Sequence, residues 1–152
     1  MIRNYHPDDA YELWQIYFNT IRKVNIRDYT DDQVRVWAKE DLSQQLWAEK
    51  MNSLSPFVCV RDGVILGYSD LQTDGLIDHF FCHYEYQGVG VGAELMEKIH
   101  QTAKDKGIRQ LYSNVSITAR PFYERFGFVA VKEQHNEKEG QVLINYRMEK
   151  SL

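Results

Sequence analysis

Hydrophobic positions change their period along this chain, and each change marks an element. Met1 to Tyr5 reads as a short strand. Leu13, Ile16, Tyr17, Thr20 and Ile21 then recur at helical spacing behind Pro7-Asp8-Asp9. Proline is tolerated in a first helical turn, and acids suit the positive end of a helix. Thr30-Asp31-Asp32 is an N-cap followed by acids, and Val34, Trp37 and Ala38 share one face behind it. Asp41 to Met51 predicts a third helix, closed off by Pro56. From there the period shortens. Phe57-Val58-Cys59-Val60 predicts a strand, Asp62-Gly63 a hairpin turn and Val64 to Gln72 the returning strand. Asp74-Gly75 is a second turn, and Leu76 to Tyr84 a further strand. Gly92, Leu95, Met96, Ile99 and Ala103 form one stripe of a helix over Ala93 to Lys106, with Gly107 as its terminator. Ile108 to Val115 is again strand-like. A short helix follows, capped by Ser116 or Thr118, with Pro121 in its first turn and Gly127 at its end. Phe128 to Gln134 and Gln141 to Met148 close the chain as a hairpin around Asn136 to Gly140.

Hairpins followed by strand–helix–strand predict an α/β (α+β) fold. Its sheet is mixed, mostly antiparallel and twisted, of about six to seven strands, with helices on both faces. No repeat or Pro/Gly-rich linker divides the chain, so residues 1–152 read as one domain. The 43% apolar and 26% charged fractions are those of a globular protein. A formal net charge of −4 argues against a nucleic-acid surface. Cys59 and Cys82 both sit in apolar, strand-like contexts, which predicts buried free thiols in a reducing compartment. With no leader-like stretch and no run of membrane-spanning length, a cytoplasmic protein without a membrane partner is expected. Exposed edge strands permit a homodimer.

The strongest chemical signal is Gln87-Gly88-Val89-Gly90-Val91-Gly92, of the form Q-x-x-G-x-G, between the strand-like Ile77 to Cys82 and the helix. Glycines let backbone approach a ligand, and the free amides and dipole of the helix start suit a pyrophosphate. A Walker loop is excluded, because Gly92 is followed by Ala93-Glu94 and not by lysine and a hydroxyl. Gly88-x-Gly90-x-x-Ala93 also fits a dinucleotide fingerprint. That motif opens a doubly wound sheet, however, and here hairpin strands precede it and too little chain follows.

A third reading joins the loop to Ala119-x-x-Phe122-Tyr123-x-x-x-Gly127-Phe128, one helix and one strand further on. With Ile77-Asp78-His79-Phe80-Phe81-Cys82 before the loop, these segments resemble the GNAT superfamily of N-acetyltransferases in order and spacing. The resemblance covers the C-terminal half. Upstream, Tyr29-x-x-x-Gln33-x-x-x-Trp37-Ala38 is similar to the bacterial YafP-like branch of that family. Two positions depart from the family pattern. Ser116 stands where asparagine is frequent, and Tyr84 where proline often follows the cofactor strand.

The resemblance implies acetyl-CoA as cosubstrate and no metal. It implies pyrophosphate on the backbone amides of Gln87, Gly88, Val89, Gly90, Val91, Gly92 and Ala93. It implies pantetheine pairing along Phe81, Cys82 and His83, with Ser116 nearby, and the next strand splayed away to admit it. An amide near Cys82 would polarise the thioester carbonyl. Tyr123 falls at the family's general-acid position, where a phenol protonates the departing thiolate. Asp78 is the candidate base, with His79 and His83 as rivals. His79-x-x-x-His83 alone does not make a metal site. Tyr29, Trp37 and His79 are expected on the acceptor side, and His100 and His135 outside the chemistry. The acceptor is a small-molecule or peptide amine of open class. The alternative to an acetyltransferase is a GNAT fold that binds CoA as a regulatory module without turnover.

Overall fold

A computed structural model describes residues 1–152. The chain runs β1 (Ile2–Asn4), α1 (Ala10–Lys23), α2 (Asp31–Trp37), α3 (Gln44–Leu54), β2 (Phe57–Arg61), β3 (Val64–Ser69) and β4 (Phe80–Cys82). It continues as α4 (Val91–Asp105), β5 (Gln110–Ser116), α5 (Arg120–Arg125), β6 (Val129–Lys138) and β7 (Gln141–Ser151). No helix is long and apolar enough to cross a membrane.

The strands form two antiparallel sheets, ordered β1-β2-β3-β4 and β5-β7-β6, seven strands in all. A single parallel bridge, Leu76 to Tyr112, joins them. There the Ile77 amide donates to the Tyr112 carbonyl over 2.9 Å and the Tyr112 amide to the Gly75 carbonyl over 3.1 Å. Glycine is required at position 75: φ is +94°, and a Cβ would fall 2.0 Å from the Gln110 carbonyl oxygen. Beyond this bridge β4 and β5 part, which leaves a gap.

Leu76 to Tyr84 is therefore not one strand. Only Phe80–Cys82 pairs with β3. The preceding amides of Asp78 and His79 donate to the Asp70 carboxylate, at 3.0 and 2.7 Å, so a side chain replaces the sheet ladder there. The returning strand β3 correspondingly stops at Ser69 instead of Gln72. The third helix starts at Gln44 and not Asp41, because Ser43 is the N-cap and its Oγ accepts the Leu46 amide over 3.3 Å. Helix α5 takes no side-chain cap from Ser116 or Thr118; its N-cap is Ala119. The final hairpin runs longer than predicted and turns at Glu139-Gly140, both at positive φ. That geometry matches the twist of the flanking strands.

Helices cover both faces of the first sheet. Val58, Ile65 and Tyr68 pack with Leu13, Ile16, Trp47 and Met51 of α1 and α3. Cys59 and Leu66 pack instead with Val91 and Leu95 of α4. A β-bulge makes this sorting possible. Cys59 pairs with Gly67 and Val60 with Ile65, so Leu66 is the extra residue and the facing of β3 changes across it. The second sheet has its own core, in which Leu111, Val115 and Met148 meet Met96 and Ile99 of α4 and Tyr123 and Phe128 around α5.

Candidate active site

The gap between β4 and β5 opens into a cleft of about 760 Å³. That volume suits a cofactor-sized ligand. Among the lining side chains Asp78 is the one carboxylate, against the cations Arg27 and Arg125. The lining thus favours an anion on balance.

One end of the cleft is the glycine loop. Gly90 sits at φ +90° as the N-cap of α4, a conformation that strains any side-chain-bearing residue. The first bond of the α4 ladder runs from the Glu94 amide to the Gly90 carbonyl at 3.1 Å. The amides of Val91, Gly92 and Ala93 precede it and keep their donors for a ligand. Gln87, Gly88, Gly90, Gly92 and Ala93 line the cleft. Val89 points to solvent and Val91 into the core, so these two offer backbone alone. The Gln87 side chain does not face the cleft chemistry. Its Nε2 donates to the carbonyls of Cys82, at 2.8 Å, and His83, at 3.3 Å, and ties the loop to β4.

Strand β4 forms one wall. The His83 amide donates to the Leu66 carbonyl over 2.8 Å, and Phe81 pairs with Tyr68. The backbone of both is thus turned toward β3. By alternation, Phe80 and Cys82 turn theirs toward the cleft. The expected pairing along Phe81, Cys82 and His83 therefore reduces to the Cys82 backbone, joined by that of Phe80. The Cys82 carbonyl is already taken by Thr20 Oγ1, which donates over 2.9 Å, and by Gln87. Its amide remains. Burial pushes the Cys82 thiol up to about 12, so it stays protonated and is not a nucleophile.

Tyr123 lines the same cleft but is only 2% exposed, with Phe80 and Phe128 edge-on to its ring. Burial drives its hydroxyl pKa well above the phenol range. Ser113 Oγ donates to the Ile77 carbonyl at 2.7 Å and stands 3.4 Å from the Tyr123 hydroxyl. With the serine proton committed, the phenol is the donor of that pair. Ser116 Oγ accepts the Ala119 amide at 3.0 Å and the Asn25 side-chain amide at 3.4 Å. It shapes the turn into α5 and lines the cleft, with its O–H still uncommitted.

Asp78 opens onto the cleft and pairs with Lys50 Nζ at 2.9 Å. His79 does not share a strand face with His83. The structure places His83 outside β4, where its Nδ1 accepts the Glu85 amide at 3.0 Å and caps a short turn. His79 is partly buried, stacked on Tyr17, with Nδ1 3.0 Å from the Tyr68 hydroxyl. Burial pushes it down to about 4, so it is a neutral imidazole that shares one hydrogen bond with Tyr68. Such a group is a poor base at neutral pH. No three His, Cys, Asp or Glu side chains cluster closely enough for a metal.

Tyr29 lines the cleft, but its hydroxyl is committed to backbone. Its hydroxyl donates to the Ile144 carbonyl at 2.5 Å and accepts the Ile117 amide at 2.9 Å, tying the end of β5 to β7. Trp37 lies edge-on to Tyr29 and borders the cleft. His100 bonds Met96 and Lys150, and His135 bonds Glu133; neither lines the cleft.

The sequence reading missed Asp70, which is fully buried between β3 and the Asp78-His79 segment. Desolvation raises its carboxyl to about 6, against the amides of His79 and Asp78 and the Gln72 side chain that hold it ionised. Nothing in the strand pattern marks it, since its partners are backbone amides made adjacent only by the fold. Thr20 and Tyr17 were read correctly as one helical face, but not as neighbours of β4.

The acetyltransferase (GNAT) domain family matches residues 25–150. The chain is 31% identical to the uncharacterized N-acetyltransferase YafP of Escherichia coli (strain K12) over 147 residues, covering 97% of this chain and 93% of that one. The crystal structure of a GCN5-related N-acetyltransferase from Rhodopseudomonas palustris superposes with a TM-score of 0.94 at 27% identity, over 100% of this chain and 95% of that one. The acetyltransferase yncA of Salmonella typhimurium, solved with its cofactor acetyl-CoA, gives 0.68 at 18% identity over 99% and 92% and shares the fold. The chain belongs to the GNAT acetyltransferase family and is an acyltransferase.

Proposed function

We propose that this chain moves an acetyl group from acetyl-CoA to a primary amine by direct attack of the amine on the thioester, in one domain spanning residues 1–152. The observation that carries this reading is the parting of β4 from β5 beside the unpartnered amides of Val91, Gly92 and Ala93. A pyrophosphate on those amides lets a pantetheine arm run along the free backbone of β4. The yncA complex with acetyl-CoA on the same fold supports the choice of cofactor.

In this reading the Cys82 amide points at the thioester oxygen and stabilises the charge that develops there. The amine nitrogen bonds the acetyl carbon and the carbon–sulfur bond breaks. The proton leaving the amine passes to Asp78, directly or through water, and Tyr123 gives its proton to the departing thiolate. Burial keeps the phenol protonated but weakens it as an acid, so what supports the role is its place on the cleft wall. The protonated Cys82 thiol favours direct transfer over an acyl-enzyme. An open cleft of about 760 Å³ supports turnover over a non-catalytic CoA-binding module.

Thiol release from acetyl-CoA against a panel of amines tests the reading. Turnover of at least one amine is expected, with Asp78→Asn lowering kcat most at neutral pH and less where the amine is already neutral. CoA binding without turnover on any amine would favour the binding module. A variant pH–rate profile that overlays the parent's would remove Asp78 from the proton path.

A further inference from the structure

A second cavity of about 230 Å³ lies against the acceptor end of the cleft and shares Tyr17, Trp37 and His79 with it. Its walls include Trp14, Trp37 and Trp47, which are all the tryptophans of the chain. Trp14 and Trp47 meet edge-to-face at 5.2 Å, and Tyr17 lies 5.0 Å from Trp47. An apolar cavity of about 150 Å³ accepts benzene, so this one holds a substituted ring. Its charges are one-sided. Lys39, Lys50 and Lys138 border it, and no carboxylate does. Lys39 is paired with Glu139 at 2.8 Å and Lys50 with Asp78 at 2.9 Å, while Lys138 stands free at the surface.

The aromatic walls would attract a cation by themselves. Three lysines at the rim oppose that, so the amine end of a ligand belongs elsewhere. The Lys50–Asp78 pair shows where. Asp78 faces the cleft and Lys50 faces the side cavity, so the pair spans the boundary between them. Half-exposed ion pairs of this kind are weak and exchange readily with a ligand's charges. A zwitterion laid across the boundary would put a carboxylate on Lys50 and an ammonium on Asp78, each charge replaced in kind.

We infer that the acceptor is an α-amino acid with an aromatic side chain: the ring fills the tryptophan-lined cavity, the α-carboxylate meets Lys50, and the α-amine meets Asp78 in front of the thioester. This rests on the acetyl-transfer reading above. The α-ammonium loses one proton to Asp78 and a second to water on acylation, the nitrogen–acetyl bond forms as the carbon–sulfur bond breaks, and the thiolate is protonated. The products are the N-acetyl amino acid and CoA. Displacement of Lys50 from Asp78 also frees the carboxylate as the acceptor arrives.

The test pairs turnover with binding. L-phenylalanine, phenethylamine (no carboxylate) and L-alanine (no ring) are compared by thiol release, and each is titrated against tryptophan fluorescence, since all three tryptophans line that cavity and Trp37 alone also borders the cleft. L-phenylalanine should exceed both comparators in kcat/KM by roughly ten-fold or more. It should also change the fluorescence saturably. Lys50→Met should raise the KM for L-phenylalanine more than that for phenethylamine, which has no carboxylate to lose. Equal turnover of phenethylamine would overturn the carboxylate assignment, and equal turnover of L-alanine the ring assignment. Saturable fluorescence change without turnover of any amine would uphold the pocket while removing the acetyl-transfer reading. Turnover of another amine with no fluorescence response to L-phenylalanine would overturn the proposal and leave that reading standing.

Discussion

The Tyr123 hydroxyl stands 3.4 Å from Ser113 Oγ, and Ser113 in turn donates to the Ile77 carbonyl at the one bridge between the two sheets. The phenol is thus anchored to the strand segment that leads into Asp78. A proton donor and the candidate base are held by the same few residues, on opposite sides of the place where β4 parts from β5.

Tyr123→Phe keeps the ring among Phe80, Phe122 and Phe128 and removes only the donor. We expect kcat to fall roughly ten- to a thousand-fold, the scale of one acid–base contribution, with CoA affinity little changed. A folded variant with parental kcat, measured where chemistry limits the rate, would make Tyr123 a packing residue.

Gly90→Val should weaken CoA binding. The residue is the N-cap of α4 at positive φ, where a β-branched side chain is strained and the loop must shift away from the pyrophosphate position. Calorimetry with CoA reads the effect, and an unchanged Kd would place the pyrophosphate elsewhere.

Asp70 and His79 give opposing pH dependences to stability. The Asp70 carboxyl rises from 3.8 in the unfolded chain to about 6 by burial. Between those values the folded state holds a proton that the unfolded state has lost, so its stability contribution falls as pH rises, by about 3 kcal/mol in total. His79 is lowered from 6.5 to about 4, also by burial. There the unfolded state binds the extra proton, so the contribution grows with pH over nearly the same window and by a similar amount. The parent should be nearly flat from pH 4 to 6. Asp70→Asn should become more stable as pH rises, and His79→Gln less stable. Urea unfolding across that range measures both, and a flat Asp70→Asn curve would rule out a titrating pair.

Tyr29→Phe should destabilise the fold by roughly 1–3 kcal/mol, because it leaves the Ile117 amide and the Ile144 carbonyl without their shared partner. Denaturant unfolding measures the loss. The hydroxyl is committed to backbone, so the acceptor KM should stay near parental; a large rise in KM with unchanged stability would return Tyr29 to the acceptor pocket.

Most elements were legible in the sequence because their signals are local. The Thr30 N-cap, the Asp62-Gly63 turn, the glycines around α4 and the apolar stripe of α4 each act within a few residues. The glycine loop and the Phe122-Tyr123 segment fixed the family for the same reason: a turn that needs positive φ and a helix start that needs free amides leave their mark in the residues themselves. What only the tertiary structure decided depends on partners far apart in the chain. Asp70 looked like strand until the amides of Asp78 and His79 reached it, so that a buried side chain carries much of the pairing between β3 and the segment that leads into β4. His79 lost its value as a base by being packed among Tyr17 and Tyr68, and the Tyr29 and Ser116 oxygens accept backbone amides while both residues still border the cleft. Desolvation and long-range hydrogen bonding are properties of an environment, and one strand of sequence does not contain its own environment.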